Sequence, residues 1–376
     1  MLRPRPKGVA RYIWELCKAL DKVLPDARFF VYSRKPIVPM PDISSRWSWR
    51  CDLSPVGARI PNSIWGASRL GHIAQRDNLD VFWGGTGLLP LAGLRSRTVL
   101  TVYDFVYKLA PETASNRTLW AMRLFFSASV RRADQITSIS LGTARRLEAA
   151  YPKRVNAIVR PGLSATFRPR PGAEVRTLLQ RYGIVQPYLL SVGTLEPRKG
   201  LHRLVPAFLS LLQEGRLKDH CLVMAGERGW KDDSIVQLVK SSARIHPLGF
   251  VDDDALSALY TGADALVFPS SYEGFGMPVL EALACGTRVV ATDIPELREA
   301  GGRDAIYVPP TVDGIRDGII RALKADRPKP LDSGDYSWLR SAKNLANVLS
   351  DQTAACLPEP TEYCADTRVI IRPTDR

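Results

Sequence analysis

Two glutamates flank a glycine-rich turn in the stretch SYEGFGMPVLEALACG, residues 271–286. Glu273 precedes the turn, and Glu281 lies in or near the first turn of an apolar helix expected to run from Pro278 to a cap at Gly286. Alone, Glu281 would stabilise a helix start and Glu273 would be a loop charge. Together they suggest a site for two sugars, because a carboxylate accepts hydrogen bonds from adjacent hydroxyls. The glycines and the helix N-terminus would suit a diphosphate between a ribose and a hexose.

A second stretch, SVGTLEPRKGL at 191–201, places two cations between a strand and a helix. Gly193 is expected to end the strand, and Arg198 and Lys199 precede the helix. Arg offers a planar fork that matches phosphate oxygens, and Lys offers a point charge. The pair therefore predicts a diphosphate clamp that could stabilise a leaving group as its charge grows. The alternative is a basic loop without a ligand, and the stretch lacks the GxxxxGK[ST] pattern of a Walker A loop.

The elements that would position these residues alternate between strands and amphipathic helices, which indicates an α/β fold with parallel sheets. Expected strands cover 28–33, 79–85, 97–104, 134–140, 155–162, 188–193, 221–226, 245–251, 264–270 and 287–293. Expected helices cover 8–24, 117–133, 201–213, 255–262 and 336–350. Both chemical stretches follow expected strands, at the end where open α/β sheets bind their ligands.

A proline-rich segment without periodicity, 167–174, is interpreted as a linker between two domains. The predicted domains are 1–168 and 169–335, followed by a final helix and a loosely ordered tail at 336–376. The first helix begins near Gly8 without a strand before it, although such domains usually open with a central strand. Loss of a central strand would leave two unpaired edges, so we expect the first N-terminal strand to be missing from this sequence.

Positive charge is concentrated in the first half of the chain. Residues 1–176 carry 29 Lys and Arg against 12 Asp and Glu, whereas the whole chain has a net charge of +14. A basic surface attracts polyanions, and no nucleic-acid-binding motif is present, so we expect an anionic membrane surface or acceptor as partner and no nucleic acid. The alternative is a solvated, arginine-rich surface. Six scattered cysteines without a CxxC pair argue against a zinc or disulfide framework and favour the cytoplasm.

The second half resembles the retaining GT-B glycosyltransferases of family 4, also called group 1, which use nucleotide sugars. The resemblance rests on SVGTLEPRKGLHRLVPAF and on GFVDDDALSALYTGADALVFPSSYEGFGMPVLEALACGTRVVATDIPELREA, where Glu273 and Glu281 form the E-x7-E pair of that family. It is highly specific over residues 188–300. A weaker match extends over 8–20, 97–112, 134–168 and the last helix. The resemblance implies two Rossmann-like domains with the active site in the cleft between them.

The resemblance also implies roles for individual residues. Arg198 and Lys199 would bind the donor diphosphate. Glu281 would hold the ribose and Glu273 the donor sugar. The other donor-binding positions would be Gly8 in a loop facing the diphosphate, Gly193, Val251 near the base, and the turn Phe275, Gly276 and Met277. Transfer would retain the anomeric configuration with the departing phosphate helping to deprotonate the acceptor, so that no protein nucleophile and no cofactor is required.

The sequence departs from the family pattern after the strand expected at 97–104. Many relatives have His-Asp there, near the transferred sugar, whereas this chain has Tyr103 and Asp104. Tyrosine can hydrogen-bond a hydroxyl but does not readily carry charge at neutral pH. We retain Tyr103 and Asp104 beside Glu273 as catalytic candidates, the alternative for Asp104 being a cap at the strand end.

The run Asp252-Asp253-Asp254 could be mistaken for a DxD metal motif. It precedes an expected helix, where Asp is a natural N-cap, and the four histidines show no ligand spacing. We therefore expect no metal site.

The predicted function is transfer of a hexose from a nucleotide sugar to a lipid-linked saccharide or polysaccharide precursor, on the inner face of the plasma membrane. Similarity to bacterial mannosyltransferases favours GDP-mannose as the donor. The alternative, motivated by Tyr103 and the missing strand, is a catalytically degenerate relative that binds a sugar nucleotide or a partner protein. A sugar-nucleotide epimerase could also use this fold. A nicotinamide oxidoreductase would need a GxGxxG loop after a first strand, and the chain has none.

Overall fold

The computed structural model describes residues 8–34, 43–111, 116–227, 229, 237–239 and 241–351. The strands of the N-terminal domain are β1 (Phe29–Ser33), β2 (Trp47–Cys51), β3 (Val81–Gly84), β4 (Arg97–Val102), β5 (Gln135–Ser138) and β6 (Ala157–Ile158). Its helices are α1 (Val9–Val23), α2 (Pro55–Arg59), α3 (Asn62–Ser68), α4 (Leu70–Ala74), α5 (Val106–Leu109), α6 (Asn116–Arg132) and α7 (Leu141–Ala150).

The N-terminal domain contains two parallel sheets. Strands β3 to β6 form a four-stranded sheet in chain order, and β1 pairs with β2 in a separate two-stranded sheet. Strand β4 is apolar because helices cover both faces of a parallel sheet, and Val99, Leu100 and Val102 are fully buried. Helix α1 packs one face on this core. Within the described residues, no strand precedes α1.

The C-terminal domain is a six-stranded parallel sheet with helices around it. Its strands are β7 (Tyr188–Val192), β8 (Cys221–Ala225), β9 (Ile245–Gly249), β10 (Ala265–Phe268), β11 (Arg288–Thr292) and β12 (Ala305–Val308). Its helices are α8 (Gly172–Arg181), α9 (Leu201–Gln213), α10 (Asp253–Gly262), α11 (Met277–Ala284), α12 (Pro295–Gly301) and α13 (Val312–Lys324). The strand order β12-β11-β10-β7-β8-β9 reverses direction between β10 and β7. Such a topological switch point is where open α/β sheets bind ligands.

The chain crosses back to the N-terminal domain in its last helix, α14 (Trp338–Leu349), which packs along α1. Two hydrogen bonds anchor this helix, from the Ser341 hydroxyl to the Arg160 carbonyl at 2.6 Å and from Asn344 to the Ile158 carbonyl at 3.2 Å. The polypeptide therefore passes between the two domains twice, so that two chain segments connect them.

Helices α7 and α12 hold the domains in contact through two buried carboxylates. Glu296 of α12 is fully buried and pairs with Arg146 of α7 at 3.0 Å. Glu299 accepts a hydrogen bond from the Leu141 N–H at 2.7 Å and pairs with Arg160, also at 2.7 Å. The anions face the N-terminus of α7, where a helix dipole favours negative charge.

The α/β architecture with two Rossmann-like domains is confirmed, and α9 has the limits predicted for it, 201–213. The interpretation of 167–174 as a linker is wrong at its end, because Pro171 caps helix α8 and Gly172 begins it. The expected tail at 351–376 lies outside the described residues, except for Asp351. The domain boundaries stay a prediction. Over the part of the chain that the structure describes, no helix combines the length and apolarity needed to cross a bilayer.

Candidate active site

Two loops meet at the switch point of the C-terminal sheet. Strands β7 and β10 are hydrogen-bonded neighbours, so the loops that follow them leave the sheet at the same edge. The first loop carries Arg198 and Lys199, and the second carries Glu273. The Ser271 N–H donates to the Arg198 carbonyl at 2.8 Å, which fastens one loop to the other. The fold thus brings together the two stretches that the sequence marked separately.

The carboxylate of Glu273 holds both cations of the first loop. Lys199 Nζ lies 2.6 Å from Oε1, and Arg198 Nη1 lies 2.9 Å from Oε2. A second carboxylate, Glu196, contacts Arg198 Nη2 at 2.6 Å, and no side chain of the four is more than 18% exposed. We call these four residues the Glu273 cluster. Glu196 was missed in the sequence, where its one signal is an acidic residue two positions before Arg198.

The charges of the Glu273 cluster depend on one another. Burial would raise the pKa of Glu273, but Lys199 and Arg198 hold it at about 2. Burial lowers the pKa of Lys199, and Glu273 opposes that change. Glu273 is therefore ionised at neutral pH and accepts hydrogen bonds only. Lys199 and Arg198 together have more N–H donors than these contacts use, so both can also donate to an anionic ligand.

Glu281 lies in the second turn of α11, one helical turn beyond the N-terminus. The sequence-based alternative, a carboxylate stabilising the start of the helix, is wrong because the first turn holds no acidic residue. Glu281 is 6% exposed and accepts a hydrogen bond from the Tyr260 hydroxyl at 3.1 Å. Burial raises its pKa to about 7, although Arg11 of α1 and Tyr260 act in the opposite direction. The carboxylate has further acceptor positions for hydroxyl ligands.

The turn between the two glutamates requires its glycines. Gly276 has φ of +109° and caps α11, and a Cβ there would lie 2.5 Å from Leu297 Cδ2. A Cβ at Gly274 would lie 2.6 Å from the Tyr103 carbonyl oxygen, so the turn is pressed against the N-terminal domain. Phe275 is buried beside the Tyr336 ring, and Met277 is the first residue of the helix. Pro278 is its second residue, and Gly286 follows the C-cap residue Cys285.

Gly193 and Lys199 are also in contact at the end of β7. Gly193 has φ of +138°, and a Cβ there would lie 3.1 Å from Lys199 Cε. The lysine stem lies over the backbone of Gly193, and Lys199 Nζ is 4.9 Å from the centre of the Phe268 ring. A Cβ at 193 would have an unfavourable positive φ and would require the lysine stem to shift slightly.

Tyr103 and Asp104 belong to the N-terminal domain and lie next to the turn that follows Glu273. The Asp104 carboxylate accepts the Val106 N–H at 3.0 Å, and burial raises its pKa while Arg198 opposes that change. The backbone N–H of Phe105, the residue after Asp104, donates to the Tyr272 hydroxyl at 2.6 Å. Tyr272 is the residue before Glu273 in the chain. The Tyr103 hydroxyl donates to the Gly85 carbonyl, and burial raises its pKa far above its usual range. The Tyr103 side chain is therefore neutral, and its hydroxyl hydrogen is already donated to the Gly85 carbonyl.

Gly8 and Val251 lie on opposite sides of the domain interface. Gly8 caps α1 with φ of +54° and has open space where a Cβ would be. One turn along α1, Arg11 pairs with Asp253 at 3.0 Å, two residues beyond the buried Val251. The Arg11–Asp253 pair places the start of α1 against the start of α10, and both charges act on Glu281. Arg11 was not singled out in the sequence.

The acidic run lies at the start of α10, and its first residue caps that helix as expected. The Asp252 carboxylate accepts the Ala255 N–H at 3.0 Å. Among the described residues, no group of three or more His, Cys, Asp or Glu side chains has the arrangement of a metal site.

Comparisons with known proteins identify the family and the fold. Residues 180–337 match the sequence model of the family Glycosyl transferases group 1. The chain is 34% identical over 260 residues to O-antigen chain mannosyltransferase B of Escherichia coli, covering 67% of this chain and 68% of that protein. It is 30% identical over 277 residues to the serotype-specific mannosyltransferase WbdA of Escherichia coli, which covers 68% of this chain but only 33% of WbdA.

Sucrose-phosphate synthase from Thermosynechococcus elongatus has the same fold, with a TM-score of 0.72 at 20% identity over 93% of this chain and 94% of that one. The architecture is therefore GT-B. Because residues 180–337 match the family's sequence model and a relative is 34% identical over 67% of this chain, the chain belongs to the glycosyl transferases group 1 family.

Proposed function

We propose that this glycosyltransferase moves mannose from GDP-mannose to a lipid-linked saccharide or polysaccharide precursor, with retention of anomeric configuration. Lys199 and Arg198 neutralise the diphosphate of the donor, and Glu273 holds a hydroxyl of the transferred sugar. The proposal rests on the Glu273 cluster, because one buried carboxylate there fixes two cations at the switch point of the sheet.

The diphosphate would lie between the cations and the N-terminus of α11. The Gly276 turn supplies backbone N–H groups at that terminus, and a helix N-terminus favours phosphate. As the bond to the sugar breaks, charge grows on the diphosphate, and fixed cations stabilise it without reorganisation. Glu281 accepts hydrogen bonds from the ribose hydroxyls. It lies in the second turn of the same helix.

The names of two relatives favour mannose as the transferred sugar, since O-antigen chain mannosyltransferase B and WbdA are both mannosyltransferases. The acceptor side is formed by the N-terminal domain, whose excess of Lys and Arg suits an acceptor carried on an anionic lipid diphosphate. Asp104 faces the donor site from this side. The enzyme would be peripheral on the cytoplasmic face of the membrane.

A thermal-shift panel tests donor binding. It compares GDP-mannose, UDP-glucose, UDP-N-acetylglucosamine, UDP-galactose and the free diphosphates with wild-type protein and the Glu281→Ala variant. Binding to the native state raises the melting temperature by mass action. We expect a shift with GDP and GDP-mannose that is lost in Glu281→Ala. A shift with uridine nucleotides alone would overturn the choice of base, and no shift with any nucleotide would overturn the donor site.

The second candidate is a non-catalytic relative that binds a sugar nucleotide. It is favoured by the engaged hydroxyl of Tyr103, which donates to the Gly85 carbonyl at the position where many relatives have histidine. The two candidates differ in turnover. Release of GDP from GDP-mannose in the presence of acceptor supports transfer, whereas binding without release supports the second candidate.

A further inference from the structure

Helix α6 presents two large apolar side chains to solvent. Trp120 and Leu124 are 51% and 52% exposed and lie one turn apart on the same face of the helix. The Trp120 ring meets the Phe125 ring edge-on at 5.8 Å, which holds it in place. Leu109, at the end of the adjoining helix α5, is 51% exposed. We call the surface formed by Lys108, Leu109, Trp120, Arg123, Leu124 and Arg131 the α5–α6 face.

Basic residues surround the apolar side chains of this face. Residues 105–132 contain five Lys and Arg and a single acidic residue. Lys108, Arg123 and Arg131 are exposed. Arg131 continues the stripe of Trp120 and Leu124 along the helix, and Lys108 lies 5.6 Å from the Tyr151 ring, whose hydroxyl contacts Ser127 of α6 at 2.9 Å. The apolar and cationic groups therefore share one side of the domain.

An anionic bilayer fits this combination of groups. Tryptophan favours the level of the lipid headgroups, where its ring is apolar and its N–H is wet. Leucine reaches the acyl boundary, and each Lys or Arg near the surface gains from the negative potential of anionic lipid. A protein partner would have to supply acidic groups around an apolar pocket, whereas a bilayer offers both without a defined shape.

The α5–α6 face is also continuous with the acceptor side of the active site. Helix α5 begins two residues after Asp104, and the Phe105 N–H between them bonds to Tyr272 beside Glu273. A saccharide on a lipid anchor could therefore reach Asp104 while its lipid stays in a bilayer that contacts Leu109 and Trp120. This part of the inference rests on the proposed function.

We propose that the α5–α6 face docks the enzyme on anionic lipid bilayers, with Trp120 and Leu124 inserted at the headgroup level and Lys108, Arg123 and Arg131 against the lipid phosphates. The binding is peripheral and reversible, since two side chains bury little area. Docking through this face would orient the acceptor side of the active site, near Asp104, toward the membrane.

Cosedimentation of the full chain with vesicles tests the docking surface. The vesicles are pure phosphatidylcholine, or the same lipid with phosphatidylglycerol. The variants are Trp120→Ser with Leu124→Ser, and Arg123→Glu with Arg131→Glu. The matched controls are Val185→Ser, which removes an apolar side chain 70% exposed on the other domain, and Lys329→Glu, which reverses an exposed charge there.

We expect wild type and both controls to bind the anionic vesicles and not the neutral ones, with less binding as salt rises. Each double variant should lower the partition coefficient by about tenfold or more. Equal partition of wild type and the Trp120 and Leu124 variant would overturn the proposal, as would absence of binding to anionic vesicles. If light scattering shows that the wild type is a dimer and that this variant is a monomer, the face would instead bind a second copy of the chain.

Two further readouts separate docking from donor chemistry. The double variants should keep the wild-type melting temperature shift with the donor nucleotide, and they should keep transfer to a soluble acceptor while losing transfer to an acceptor in vesicles. If the protein binds vesicles but no nucleotide raises its melting temperature, the docking proposal stands and the proposed function is overturned.

Discussion

Lys199 Nζ and Glu273 Oε1 lie 2.6 Å apart although 74 residues separate them in the chain. The contact exists because β7 and β10 are neighbours at the point where the strand order of the sheet reverses. Burial lowers the pKa of Lys199, and Glu273 opposes that change and gives the ammonium one fixed direction. A lysine held in this way can bind a diphosphate without changing its rotamer, which is the advantage of a preorganised site.

Removing the charge of Glu273 should destabilise the fold. In Glu273→Gln, Lys199 and Arg198 keep their burial but lose an anion, and breaking a buried pair costs about 3–5 kcal/mol. Urea unfolding at pH 7 measures the loss. The control is Glu214→Gln, whose partner Arg316 lies on the surface, and it should cost less than about 1 kcal/mol. Equal losses in the two variants would mean that Glu273 is screened by solvent.

Stability should fall as pH rises through the titration of Glu281. Its pKa is about 7 in the folded chain against an ordinary 4.5, so the native state binds the proton more tightly than the unfolded state. The contribution is complete below about pH 4.5 and is lost as pH rises through about 7, a difference of up to about 3 kcal/mol. Glu281→Gln should remove this decline in unfolding free energies measured from pH 4.5 to 8. Parallel curves for variant and wild type would contradict it.

The same titration should govern donor binding. In the proposed donor site the ribose hydroxyls donate to the ionised carboxylate of Glu281, so affinity for GDP should rise about tenfold from pH 6 to pH 8. Calorimetric titrations at the two pH values measure the change. Glu281→Gln should bind more weakly at both values and show a smaller dependence, after correction for the titration of the ligand. A dependence of the same size in the variant would place the titrating group elsewhere.

Gly276→Ala should destabilise the chain more than a comparable glycine substitution. The new Cβ would have a positive φ and would also lie 2.5 Å from Leu297 Cδ2, so we expect a loss of about 2–4 kcal/mol. Gly183→Ala has a positive φ and open space, and it should cost about 1–2 kcal/mol. Thermal unfolding of both variants separates the steric contribution from backbone strain. A smaller loss for Gly276→Ala than for Gly183→Ala would show that the turn relaxes freely.

Tyr272→Phe should lower turnover without a matching loss of donor affinity. The variant leaves the buried Phe105 N–H without its acceptor, which costs about 1–3 kcal/mol and frees Asp104 to move relative to Glu273. We expect kcat to fall at least about fivefold and KM for the donor to change less than about twofold. In the control Tyr32→Phe, which removes a hydrogen bond to Asp77, stability should fall while kcat is kept. A loss confined to KM would place Tyr272 in the donor pocket.

Much of the C-terminal domain could be predicted from local sequence. The apolar strands and the amphipathic helix 201–213 have strong periodicity, and glycine and proline mark where α11 begins and ends. The positions of Arg198, Lys199 and Glu273 at strand ends follow from the same pattern. Their direct contact also requires the strand order, which the alternation of helices and strands alone does not determine.

The residues that the sequence did not single out act through tertiary contacts. Glu196, Arg11 and Tyr260 are ordinary residue types at unremarkable spacing, and only the packed chain brings them to Arg198, Asp253 and Glu281. The interpretation of Glu281 as a helix-start charge failed because α11 begins at Met277, which moves the carboxylate into the second turn. The start of α8 at Gly172 was hidden because Pro and Gly suit both a linker and a helix start.

The measurement that tests the central claim most directly is the stereochemistry of transfer. GDP-mannose and a synthetic lipid-diphosphate-linked saccharide are incubated with wild type and with Lys199→Met, and the anomeric configuration of the new linkage is read by NMR. We predict a product with the configuration of the donor, formed by wild type and reduced at least about 100-fold in the variant. An inverted product, or donor binding without any product, would contradict the account.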